Sequence, residues 1–447
     1  MRIYILLAFL MGSMSVLASP TLKAQNSPPD YMIESVRATE AMLEGSDDAS
    51  IWSFINENMK VDESRDEQRL FDHLKELRAE VRDKMNNITI EPAAEGLIFT
   101  FSGSDSSVKV RMQATPEGIT ELKKISEEKL ELYDINRESI TDLFLEAEQR
   151  GMAGVVHIVK DGELLISKGF GYANKELGIL NKTNTIFGIG SRPIDFTKAA
   201  IFHLEQRGML RTDETIAAYL DDVPADKHSM TIQHLMTGRS GLPDFFHTEN
   251  DSDPDLQWID RKTAEERIMN LPLLFEPGTD RRHSHTAFGL LAILVEKISG
   301  MSYEEYLQRY FFEPTAMSKT GNYGDQRIHS LEDFAVGSGP QIVGLPNIPP
   351  NWGPTSWLIK GSGGMYSSLP DLLNFYKLVR SDEVLEAKYS QQFREPSVTL
   401  DGSDRGFELF NIYESEDDQL YLFLNSHADR MEMMRLFRSL EAFMITE

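Results

Sequence analysis

Two strand-like segments near opposite ends of one long stretch of chain constrain the fold most. "VVHIVKDGELLIS" holds Val155 to Val159 and Leu164 to Ser167 around Asp161-Gly162. Both turn positions tolerate positive φ, so this predicts a tight hairpin. Far downstream, "LYLFLNSH" is apolar over a full strand length, as a strand buried on both faces would be. The chain between them is mostly helical in pattern, from Ser191 to about Tyr310. It continues through an irregular Pro- and Gly-rich stretch (Gly337 to Pro354), a helix at Leu369 to Arg380 and short strands. A closing helix is predicted over Ala428 to Met444. A sheet assembled from such distant pieces must have its helices inserted between them. The prediction is one sheet built from these chain-distant pieces, with an inserted helical lobe.

The region before it has its own period. Helices are predicted from about Tyr31 to Leu43 and behind Ser64 and Glu67. That pair reads as a capping box, with Leu70, Phe71, Leu74, Leu77 and Val81 following at helical spacing. "GLIFTFSG", "VKVRMQAT" and "GITELKKI" then read as strands. Helices followed by a meander make a small α+β unit over 28–126. A connecting helix, Glu127 to Arg150, leads into the larger unit over 127–447.

The first residues carry Arg2, an apolar run from Ile3 to Ala18, and small residues at Val16-Leu17-Ala18, with Ala24 as a second cleavage point. This is the pattern of a secretory signal over 1–24 and predicts a secreted or periplasmic protein. The run is short for a bilayer span, so no stable membrane insertion is expected after cleavage. The chain has no cysteine, which rules out disulfides, thiol nucleophiles and thiolate metal sites. Its net charge of −26 opposes binding to nucleic acid.

The chemistry begins at "FGIGSRPIDFTKAAIFHLEQRGML". Ser191 stands where a helix starts. Taken alone, a serine there reads as a helix cap. It reads as a nucleophile only if a base lies close.

The surrounding sequence resembles the serine β-lactamases of the class C type and their relatives, the DD-peptidases and carboxylesterases. Four pieces carry the resemblance in order: the stretch above, "MTIQHLMTGRSGLPDF", "FEPGTDRRHSHTAFGLLAILVEKISGMSYEEYL" and "KGSGGMYSSLPDLLNF". Together they cover roughly residues 136 to 445. The resemblance implies the α/β sandwich of the β-lactamase and penicillin-binding-protein transpeptidase type. It places Ser191 at the nucleophile of a Ser-x-x-Lys pair. The N-terminal unit resembles the small cone-shaped domain of the nuclear transport factor type.

The same resemblance exposes departures. Ile194 occupies the lysine position and can only fill space. His283-Ser284-His285 stands where the family has Tyr-x-Asn, so His283 takes the tyrosine position and His285 the substrate-binding asparagine position. His283 is a candidate base for Ser191, because imidazole titrates near neutrality. A histidine pair for a metal is a further reading, but no carboxylate lies at convincing spacing, and no metal or cofactor is expected. Leu400-Asp401-Gly402 matches the third motif. There Leu400 replaces its basic residue, Asp401 would repel a substrate carboxylate, and Gly402 allows close approach of substrate. Ser403 supplies, with Ser191, the backbone donors of an oxyanion hole. Arg405 reads as a surface arginine. Ser240-Gly241-Leu242, Pro277-Gly278 and Gly363-Gly364 read as turns.

Three functions stay open. The first is an exported serine hydrolase homologue that is catalytically impaired. The second is a rewired esterase using Ser191 with His283 on a small ester, amide or peptide-like ligand. The third is a non-catalytic envelope binding or scaffold protein whose protein partner the sequence does not name.

Overall fold

The computed structural model describes residues 29–445, apart from 61–65, 86–87, 94–95, 104–105, 249, 252–255, 326–328, 340–343, 404 and 428–429. The segment read as a leader and the capping serine Ser64 lie outside the described residues. The chain divides into two compact units. One holds the residues up to Tyr133 with Arg430–Arg438, and the other holds Asp134–Asp429 with Ser439 onward.

The first unit has helices α1 (Asp30–Glu44), α2 (Asp48–Asn58) and α3 (Glu67–Val81). Its antiparallel sheet runs in the order β1 (Ile88–Pro92), β2 (Leu97–Ser102), β3 (Ser106–Thr115), β4 (Gly118–Lys129). Asp66 caps α3 by accepting from the backbone of Gln68 and Arg69. Phe71, Leu74, Leu77 and Val81 point inward from α3, against Phe99, Phe101, Val108 and Val110 of the sheet. The expected connector helix is shorter than its sequence suggests. Residues up to Lys129 pair with β3, where Lys109 and Glu128 form a 3.2 Å ion pair across the strands. The charged run was misread as a helix face because cross-strand pairing is invisible to local pattern. The division at Tyr133 accordingly falls later than 126.

In the second unit α4 (Ile140–Gln149) leads into β5 (Ala153–Lys160) and β6 (Glu163–Phe170). Asp161 and Gly162 make their turn with φ of 51° and 74°. Short strands β7 (Tyr172–Asn174), β8 (Ile179–Leu180) and β9 (Ile186–Gly188) precede helix α5 (Pro193–Gln206). Then come α6 (Ile232–Met236), α7 (Arg261–Asn270), α8 (His285–Ser299), α9 (Tyr303–Leu307), β10 (Gly321–Asn322), β11 (Met365–Ser368), α10 (Leu369–Arg380) and α11 (Ala387–Phe393). The chain returns through β12 (Ser397–Ser403), β13 (Phe407–Tyr413) and β14 (Gln419–Ser426). Of α12 (Arg430–Ile445), which follows, Arg430–Arg438 group with the first unit and Ser439 onward with the second. The main sheet is antiparallel in the order β12-β13-β14-β5-β6. The two distant strand groups therefore meet at β14 and β5, as the apolar pattern required. A small sheet of β10-β11-β9 leads to the start of α5. None of the described helices is long and apolar enough to cross a membrane.

Candidate active site

Ser191 emerges from a tightly packed turn. Ile186, Phe187 and Gly188 of β9 are buried, and Ile189 donates its N–H to the Met365 carbonyl (3.1 Å). Gly190 then takes φ +52°, and a Cβ there would lie 2.7 Å from the Gly402 carbonyl oxygen. Only glycine combines that backbone conformation with that closeness. The turn puts Ser191 ahead of α5, beside β12 at the edge of the main sheet. Arg192, not Ser191, holds the cap position, and Pro193 opens the helix. The Ser191 hydroxyl does not cap α5. Its Oγ lies 3.1 Å from Nε2 of His285.

His285 is the first residue of α8. Ser284 caps that helix, accepting from the Ala287 N–H (3.1 Å) and donating to the Pro243 carbonyl (2.9 Å). The loop Ser240–Asp244 is thereby fastened to the helix start, and Thr286 donates to the Asp244 carbonyl from both N–H (2.9 Å) and hydroxyl (3.0 Å). Gly241 makes the close approach possible. Its φ is +77°, and a Cβ would meet the Phe275 carbonyl oxygen at 2.1 Å. Asp244 Oδ1 accepts from the His285 N–H (3.1 Å) and lies 2.7 Å from Nδ1. A carboxylate accepts there, so Nδ1 carries the proton and the Nε2 lone pair faces Ser191. Burial pushes the Asp244 carboxyl up, but the hydrogen bonds it accepts from the His285 side chain and backbone outweigh this and hold the group below its ordinary range. The Phe245 ring lies nearly parallel over the imidazole (centroids 4.5 Å, 13°) and fixes its plane. Serine, imidazole and carboxylate thus form a continuous chain in which proton transfer from Oγ to Nε2 would be stabilised at Nδ1.

The family model described as Beta-lactamase matches residues 138–409, more than half of the chain. The chain belongs to the Beta-lactamase family. Among its relatives is "Putative penicillin-binding protein PbpX" of Bacillus subtilis (strain 168), 27% identical over 288 residues, which cover 62% of this chain and 67% of that one. "Penicillin-binding protein 4*" of the same organism is 28% identical over 271 residues, with 58% of each chain covered. The octameric penicillin-binding protein homologue from Pyrococcus abyssi matches in structure with a TM-score of 0.54 at 22% identity. That match covers 68% of this chain and 76% of that one. The α/β sandwich expected from the resemblance is the fold of the second unit.

Ile194, three residues after Ser191, packs against the main core. Lys198, one turn further on, has its own partners. It pairs with Asp195 at 3.7 Å and lies 5.8 Å from the Phe288 ring centre. Asp401 does not present a free charge to the cleft, as its position suggested. Arg192 meets it at 2.6 Å and also reaches Tyr376 (3.0 Å), and Tyr376 donates to Asp195 (2.8 Å). Burial raises the Asp401 carboxyl despite this partner. The cluster ties the nucleophile turn to β12. Leu400 is 41% exposed on that edge strand, Gly402 abuts Gly190, and Ser403 ends the strand. Arg405 is buried rather than on the surface, because the loop after Ser403 tucks against Gly339 and Asn347.

The ring that reaches Ser191 is His285, not His283. His283 precedes the cap, while His285 follows it into the helix, so the two point differently from neighbouring positions. The His283 ring stands edge-on to His285 (centroids 4.7 Å, 88°). Partial desolvation and the adjoining His285 hold its pKa below the ordinary imidazole value. The two histidines are therefore not a pair on one strand face. Asp244 was missed altogether. Its signal was the one acid in "SGLPDF", a piece read only as a turn. It also supplies the carboxylate that sequence spacing did not reveal, since donor atoms of Asp244, His283 and His285 all lie within 4.8 Å of one another and could hold a metal ion.

Proposed function

We propose that this protein is a serine hydrolase whose lysine-based activation is replaced by a Ser191–His285–Asp244 relay. The observation carrying this reading is the unbroken pair of contacts, 3.1 Å from Ser191 Oγ to His285 Nε2 and 2.7 Å from Nδ1 to Asp244. Ser191 Oγ attacks a carbonyl carbon as its proton passes to Nε2. Asp244 stabilises the resulting imidazolium and keeps the ring oriented. The backbone N–H groups of Ser191 and Ser403 receive the oxyanion. The imidazolium protonates the departing group, leaving an acyl-enzyme, and His285 then draws a proton from water to release the acid. A neutral Leu400 where the family has a base favours an acyl portion without a free carboxylate. An ester or activated amide fits this chemistry, whereas the relatives named above are penicillin-binding by name. Export through residues 1–24 belongs to the same proposal, with the mature chain starting after Ala18 or Ala24.

The test is covalent labelling by a fluorophosphonate, followed by peptide mapping and turnover of a short-chain nitrophenyl ester. The adduct is expected on Ser191, absent in Ser191→Ala and unaffected by His283→Gln. The absence of any adduct between roughly pH 6 and 9, where an imidazole base would be neutral over at least part of the range, would return the protein to the impaired or scaffold readings. N-terminal sequencing of the exported chain checks the leader.

A further inference from the structure

The His283 ring has no role in the relay, yet it faces it. Its donor nitrogen lies within 4.8 Å of donors on both His285 and Asp244, which come from two separate chain segments fastened together at the start of α8. Two imidazoles and a carboxylate are the borderline-soft N and O set that zinc-class divalent ions prefer. Zinc holds such donors at about 2.0–2.2 Å, which puts tetrahedral neighbours roughly 3.3 Å apart. Asp244 and His285 already lie closer than that, at 2.7 Å, so the exposed His283 is the ligand that would have to turn toward them.

We propose that Asp244, His283 and His285 form a binding site for a zinc-class divalent ion, and that its occupation switches off Ser191. The inhibitory half rests on the hydrolase reading above; the binding half does not. The ion enters between Asp244 and Nδ1 of His285, the place held by a proton in the ion-free site. A neutral imidazole has one proton and one lone pair on its two nitrogens. Coordination through Nδ1 therefore moves that proton to Nε2, with no net change in protons bound. Nε2 then donates toward the Ser191 oxygen instead of accepting from it, and the serine loses its base. A water completes the coordination, as in three-ligand zinc sites.

The experiment uses the full chain without an affinity tag. Zinc chloride is titrated by calorimetry into wild type and His283→Gln, and fluorophosphonate labelling of both is followed with and without zinc, then after chelation. The expected result is one ion per wild-type chain, bound at least tenfold more weakly by His283→Gln. Labelling is suppressed by zinc in wild type, restored by chelator, and largely insensitive to zinc in the variant. Equal zinc affinity in the two proteins overturns the site. So does labelling of His283→Gln that zinc suppresses as strongly as in wild type. A wild type that binds zinc through His283 but never labels upholds the ion site and sinks the catalytic reading instead. Circular dichroism of His283→Gln checks that its fold is intact.

Discussion

Helix α5 has a histidine–hydroxyl pair at each end. Before its first turn, Ser191 faces His285 at 3.1 Å; in its last turn, His203 Nδ1 meets the Tyr306 hydroxyl at 2.7 Å. The second contact is the shorter, yet its surroundings silence it. His203 is 8% exposed and packed by Tyr310 and Phe311. Burial and then the charge of Arg207 push its pKa down to about 4, while burial raises the Tyr306 phenol. Neither partner changes charge easily near neutrality. At the other end Asp244 holds the far nitrogen of His285, and the His285 side chain stays 18% exposed. A short hydrogen bond is thus a poor marker of chemistry. A third group behind the histidine, and exposure in front of it, are what distinguish these two pairs.

This contrast can be broken at either end. The largest effect is expected from His285→Ala, which should slow fluorophosphonate labelling by about 10²- to 10⁴-fold, the usual worth of a positioned base. His203→Gln should leave that rate unchanged, and a comparable loss there would undo the distinction. Asp244→Asn acts in the same direction, with a loss of up to about 10⁴-fold, because an amide can donate to Nδ1 and favour the wrong tautomer. Asp244→Glu should recover part of the rate, which a purely structural role would not predict.

The buried end carries a pH signature instead. Between about 6.5, where an unfolded histidine takes up its proton, and about 4, where folded His203 does, the unfolded chain binds the extra proton. Stability should therefore fall as pH drops through that window, and this contribution should level off below it. His203→Gln should flatten that part of a melting-temperature profile. The smallest effect is expected from Ser284→Ala, which removes the α8 cap at a cost of about 1 kcal/mol in chemical denaturation.

What could be read from the sequence follows the range of the forces involved. The Asp161-Gly162 hairpin and the helix Leu369–Arg380 are set by neighbours in the chain, and both have the expected positions. The β14–β5 pairing was inferable because an apolar strand buried on both faces needs partners on both edges. The tail of β4 was not, since Lys123 to Lys129 gain their strand form from β3. The nucleophile position was legible from motif order. The ring that lies against Ser191 is two residues later than the sequence suggested, because the cap at Ser284 sets which histidine turns toward it. Asp244 is 41 positions from His285 and joined only by folding.

Ile194 has a consequence for how such a sequence changes over time. Its side chain, on the first turn of α5, packs against the main core, so a lysine there would lodge an ammonium against apolar neighbours. Mutational paths toward a lysine at this position begin downhill in stability. Changes around the Ser191–His285 contact leave that packing intact. Under the proposed relay, Ile194 acts as a ratchet that channels later adaptation toward the residues around His285.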